Sequence, residues 1–112
     1  MGVRILKNEA MITSYGMNRI MDNIKSLFKK AAYTKDGNRV VKDIQNIIKE
    51  GDKFYVYLYL DDEDVGVLTQ FMILDETNTP IIIKNETIDK DEQKGLLVAF
   101  IVTLKEIFEN IS

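Results

Sequence analysis

The residues Phe54-Tyr55-Val56-Tyr57-Leu58-Tyr59-Leu60 alternate without a break. On a pleated strand successive side chains leave opposite faces, so Phe54, Val56, Leu58 and Leu60 share one side and Tyr55, Tyr57 and Tyr59 the other. A helix cannot sort them in that way. The chain must contain a sheet with an apolar face for a core and a tyrosine row behind it. Neighbouring segments extend the sheet. Ile47 to Phe54 reads as strand, glycine turn and strand through Gly51, although Val40, Ile44, Ile47 and Ile48 also fit a short helix. Beyond the acidic turn Asp61–Asp64, Val65 to Leu74 reads as the partner strand, with Gly66 where a bulge is tolerated. Thr77-Asn78-Thr79-Pro80 then turns the chain into Ile81-Ile82-Ile83, with proline at the first strand position. The expectation is an antiparallel meander of three or four strands.

Two helices are predicted to flank it. Met17, Ile20, Met21, Ile24, Leu27, Phe28 and Ala31 follow the three-and-four spacing of one helical stripe, which predicts a helix over 15–32. Thr13 or Ser14 suits its cap, and Lys29 and Lys30 its negative end. A long C-terminal helix is predicted over 89–110, where Asp89 and Glu92 resemble a capping box. Leu97, Phe100, Ile101, Leu104, Ile107, Phe108 and Ile111 form its stripe. Leu96, Val98, Ala99 and Val102 make its middle apolar nearly all round, so it needs cover on more than one side. Residues 1–12 have no clear period, though Val3 and Ile5 can begin a short edge strand. The predicted fold class is therefore α+β, with both helices on one sheet face. Its 112 residues fit a single domain over 1–112, and such a domain buries about 65% of its unfolded surface.

Histidine and cysteine are both absent. Their absence closes Ser-His-Asp and Cys-His nucleophilic systems, thiol redox chemistry, and nearly all zinc, haem and iron–sulfur ligation. Glycines stand singly, so no glycine-rich phosphate loop exists. Carboxylates remain. Asp61-Asp62-Glu63-Asp64 departs from the calcium-loop pattern because Val65 takes its fifth position, and Asp89-Lys90-Asp91 departs because Lys94 takes the glycine position. The acidic run reads as a solvated turn; no metal, cofactor or enzymatic activity is expected. Leu96 to Leu104 is about half the length a membrane helix needs. No secretory leader is recognisable, so the expected location is cytoplasmic, with no membrane partner.

Three surfaces are left to carry a function. The row Tyr55, Tyr57, Tyr59 is a candidate protein-binding strip, because tyrosine offers large area at low entropy cost. Its alternative is a second core layer under an edge element. On the predicted C-terminal helix, Leu96, Ala99 and Val102 are candidates for a two-fold homodimer contact. On the first helix, Arg19, Lys25, Lys29 and Lys30 fall on the polar side and are candidate phosphate contacts. Charge is bipolar within a net −3. Residues 1–53 hold eleven Lys/Arg against six Asp/Glu, and residues 54–112 hold four against twelve. The acidic half also permits mimicry of a nucleic-acid backbone.

A small acidic chain with a meander between helices resembles bacterial secretion chaperones and small immunity proteins in architecture, without a shared residue motif. Abundant Ile, Lys, Asn and Asp fit an AT-rich bacterial or phage genome. The leading expectation is a non-catalytic protein-binding module: an adaptor, chaperone, inhibitor or immunity protein. The alternative is a protein that acts on, or imitates, nucleic acid.

Overall fold

The computed structural model describes residues 2–91 and 94–103. One helix, α1 (Ser14–Lys25), precedes seven strands: β1 (Lys30–Lys35), β2 (Asn38–Lys42), β3 (Asn46–Glu50), β4 (Lys53–Leu60), β5 (Gly66–Leu74), β6 (Pro80–Lys90) and β7 (Leu96–Thr103). All pairings are antiparallel. They build a four-stranded sheet in the order β2-β1-β5-β6 and a three-stranded sheet in the order β3-β4-β7. The fold is mostly β, which overturns the α+β expectation.

Hairpins form where the turn chemistry directs them. Between β1 and β2, Asp36 and Gly37 both have positive φ (52° and 79°), as a type I′ turn requires. Between β3 and β4, Gly51 takes the positive φ of the first central position. The ambiguous stretch 40–50 is thus divided between two strands. The chain crosses from one sheet to the other three times: between β2 and β3, between β4 and β5, and between β6 and β7.

One core joins both sheets. Phe54, Val56, Leu58 and Leu60, the inner set of β4, are fully buried. They cluster with Val98, Phe100 and Val102 of β7, Leu68, Phe71 and Ile73 of β5, and Ala31 and Tyr33 of β1. Each large apolar side chain so buried contributes roughly 1.5–3 kcal/mol. A bulge at Gln70 (φ 51°) shifts the β5 register between Thr69 and Phe71. Leu68 and Phe71, an odd number of positions apart, both reach the core because of it. That is why this segment reads as apolar on both faces.

The C-terminal helix predicted over 89–110 is contradicted wherever it is described. Residues 89–90 close β6, and Leu96–Thr103 pairs along its length with β4; Glu92 of the predicted capping box and residues 104–112, with the rest of the predicted stripe, lie outside the described residues. A run apolar on all sides suits a strand packed on both faces as well as a buried helix. β-branched Val98, Ile101, Val102 and Thr103 favour the strand. Pairing with β4, some forty residues upstream, decides it.

The N-terminal helix also ends early. Thr13 caps it, its hydroxyl accepting from the Gly16 amide at 2.9 Å, and Ser26 closes it. Phe28 turns into the core edge-on to Phe54, and Ala31 enters β1 instead of extending the helix. Met21 is fully buried, with Met17, Ile20 and Ile24 packed around the same core. The predicted pairing of Phe54–Leu60 with Val65–Leu74 fails too, since these strands belong to different sheets. Residues 2–12 form no strand. Without two flanking helices on a meander, the architectural likeness to secretion chaperones and immunity proteins lapses.

Candidate functional site

The tyrosine row occupies the outer face of the three-stranded sheet, on its central strand. Register supplies its neighbours. Tyr55 stands between Ile48 of β3 and Ile101 of β7, Tyr57 between Asn46 and Ala99, and Tyr59 beside Leu97. Opposed residues in an antiparallel pair carry their side chains on the same face. The strip read from the sequence is therefore the centre of a wider face of seven apolar or aromatic residues: Ile48, Tyr55, Tyr57, Tyr59, Leu97, Ala99 and Ile101. Tyr55, Tyr57 and Ala99 are half-buried by their neighbours. The rim is open, with Tyr59 46%, Leu97 52% and Ile101 57% exposed. Tyr59 packs its hydroxyl over Gly95, where a Cβ would collide with the ring. The acidic turn borders the Tyr59 end, and Glu50 opposite Lys53 borders the other.

The proposed homodimer residues separate. Helical spacing put Leu96, Ala99 and Val102 on one stripe; on a strand, Leu96 and Val102 face inward against Leu60 and Phe54. Ala99 alone faces out, beside Tyr57. Sequence reading missed Ile48, Leu97 and Ile101. The signal was present as the alternation 97, 99, 101, hidden by a run with no polar residue to mark the outer side.

The basic candidates do not share a helical face either. Arg19 and Lys25 belong to α1, Lys29 follows it, and Lys30 opens β1. Lys30 is ion-paired with Asp43. Lys25 and Lys29 line an open recess with Phe28, Asp43, Ile44, Asn46 and Ile47, so a carboxylate shares their site.

The acidic turn is part of a polar cluster. Among the described residues, no group of three carboxylates is placed for an ion. Asp64 is buried, contrary to the solvated turn expected. One of its oxygens accepts from the Tyr33 hydroxyl. The other accepts from Lys42 Nζ at 2.6 Å and from the Asp61 amide at 2.9 Å. Burial pushes the Asp64 carboxyl up, but its bonds to Lys42, Tyr33 and Asp61 outweigh this and hold it below the usual range. Lys42 is likewise pulled down by burial, yet Asp64 and Asp61 raise it overall. Burial and then the Asp64 bond push the Tyr33 phenol well above its ordinary value. Buried Lys90 donates to the carbonyls of Asp61 and Asp91. Lys42 ends β2, Asp61–Asp64 follow β4, and Lys90 ends β6, so the cluster ties together the three crossings between sheets.

No helix among the described residues is long and apolar enough to cross a membrane. No known protein family, curated protein or solved structure matches the chain.

Proposed function

We propose that this chain is a non-catalytic protein-binding module that works through the outer face of its three-stranded sheet. The observation that carries the reading is the contiguous face of Ile48, Tyr55, Tyr57, Tyr59, Leu97, Ala99 and Ile101, centred on three tyrosines of one strand. Exposed apolar surface gathered in one patch marks a contact site, whereas single exposed residues do not. Tyrosine suits such a site because its ring is large, has few rotamers and ends in a polar tip. The outer face of the other sheet is differently made. It carries a threonine row, Thr34 opposite Thr69 opposite Thr87, beside an aliphatic row in which Ala32 and Met72 are buried and only the outer members Val41 and Ile83 are open.

Capture of partners on the immobilised protein tests the reading, with nuclease present. Tyr57→Ser is expected to lose the captured protein, and Ile83→Ser on the other sheet to keep it. Equal capture by wild type and Tyr57→Ser would remove the face from consideration. Material lost to nuclease and weakened steeply by salt would favour the nucleic-acid alternative.

A further inference from the structure

Among the described residues a second exposed apolar element lies outside the sheets. Residues 2–12 form an arm without regular structure, in which Val3, Ile5, Leu6, Met11 and Ile12 are 55% to 93% exposed. Five large apolar side chains in an eleven-residue arm exceed what scattered surface exposure explains. The Thr13 cap fixes where the arm leaves the body.

We infer that the outer face of the three-stranded sheet receives the N-terminal arm of a second copy of this chain. The inference rests on the binding face proposed above and names its occupant. Dimensions agree. Eleven extended residues reach roughly 36 Å, and the eight residues of β7 span about 27 Å, so an arm can cross the whole face. Charge agrees as well, though by a small margin. The arm holds Arg4 and Lys7 against Glu9, while the face is bordered by Glu50 and Asp52 against Lys53 at one end and by Asp61, Asp62 and Glu63 against Lys94 at the other. Area agrees third. In a reciprocal exchange each chain commits eleven arm residues and seven face residues, close to the roughly 20–30 per side of a standard stable interface. Every residue of the arm from Gly2 to Ile12 is exposed. A two-fold exchange seats both apolar elements at once and closes on itself.

Light scattering on the full chain across a wide concentration range tests this directly. The wild type is expected to form a dimer. Deletion of residues 2–11, which keeps the Thr13 cap, is expected to leave a monomer with unchanged circular dichroism. Ile101→Lys, at one of the most exposed face positions, is expected to weaken association at least tenfold and also keep the fold. The chain lacks cysteine, so Met11→Cys labelled on one chain and Thr103→Cys on another report arm-to-face proximity by energy transfer after mixing. Transfer only within singly expressed double variants, and never between mixed chains, would show docking in cis and overturn the exchange. A wild type monomeric throughout would also overturn it, leaving the face to a different protein partner. Association that survives the deletion but fails in Ile101→Lys would discard the arm and keep the face. Association lost on deletion but untouched by Ile101→Lys would overturn the exchange by discarding the face, with the arm seated elsewhere.

Discussion

Tyr33 and the tyrosines of β4 are the same residue type put to opposite uses. Tyr33 is 3% exposed, faces the core and spends its hydroxyl on Asp64. Tyr55, Tyr57 and Tyr59 stand at alternate positions on an outer face, the last half open to solvent. The first anchors a crossing between sheets; the others furnish surface. What separates them is position relative to the core, since the aromatic body packs equally well in both places. Perturbing the Tyr33 side should cost stability and spare association, and perturbing the β4 row should do the reverse.

The largest expected effect is at Asp64. Asp64→Ala leaves Tyr33 and Lys42 facing each other without their shared acceptor, and should destabilise by about 3 kcal/mol in urea unfolding. A carboxylate held below its unfolded value contributes stability above that value and loses it as pH falls through the folded pKa. Stability should therefore decline as pH drops below 3.8, the unfolded value of Asp64, and less of this decline should remain in Asp64→Asn. Tyr33 runs the other way. Its raised phenol keeps its contribution below pH 10.0 and loses it as pH rises above that value toward the folded pKa. Tyr33→Phe should cost roughly 1.5–2 kcal/mol at neutral pH and flatten the alkaline limb of the stability profile.

Tyr57→Ser should cost less, about 1 kcal/mol or below, because its ring is only half-buried by cross-strand neighbours. It should nevertheless abolish association, which chromatography at matched concentration would record. A stability loss as large as that of Asp64→Ala would break the comparison. The smallest expected effect is that of Gly95→Ala, which displaces the Tyr59 ring. It should weaken binding a few-fold and leave the thermal midpoint within about 2 °C.

The tyrosine row and its inward partners were legible in the sequence because strict alternation has one geometric meaning. So were the turn at Gly51 and the helix cap, read as Thr13 or Ser14. The β7 segment was not. Val98 to Thr103 has apolar residues on both sides, and periodicity cannot choose between a covered helix and a strand whose outer face is also apolar. Asp64 was illegible for a different reason. An acidic turn looks solvated until long-range contacts bring Tyr33 and Lys42, from 31 and 22 residues upstream, to its carboxylate. The face was visible as one column and invisible as a surface, because Ile48 and Ile101 join it only through register.

The central pairings of the two sheets have a kinetic consequence. Tyr57 meets Ala99 and Ala32 meets Met72, forty or more residues along the chain. Contacts so distant make for slow folding, because loop closure must be completed before pairing rewards it. At synthesis rates of roughly 5–20 residues per second, β4 waits several seconds for β7 to emerge. During that interval the tyrosine column exists without its Leu97 and Ile101 flank, and the face proposed for binding is complete only when the last described strand joins. An assembly partner would therefore distinguish finished chains from nascent ones.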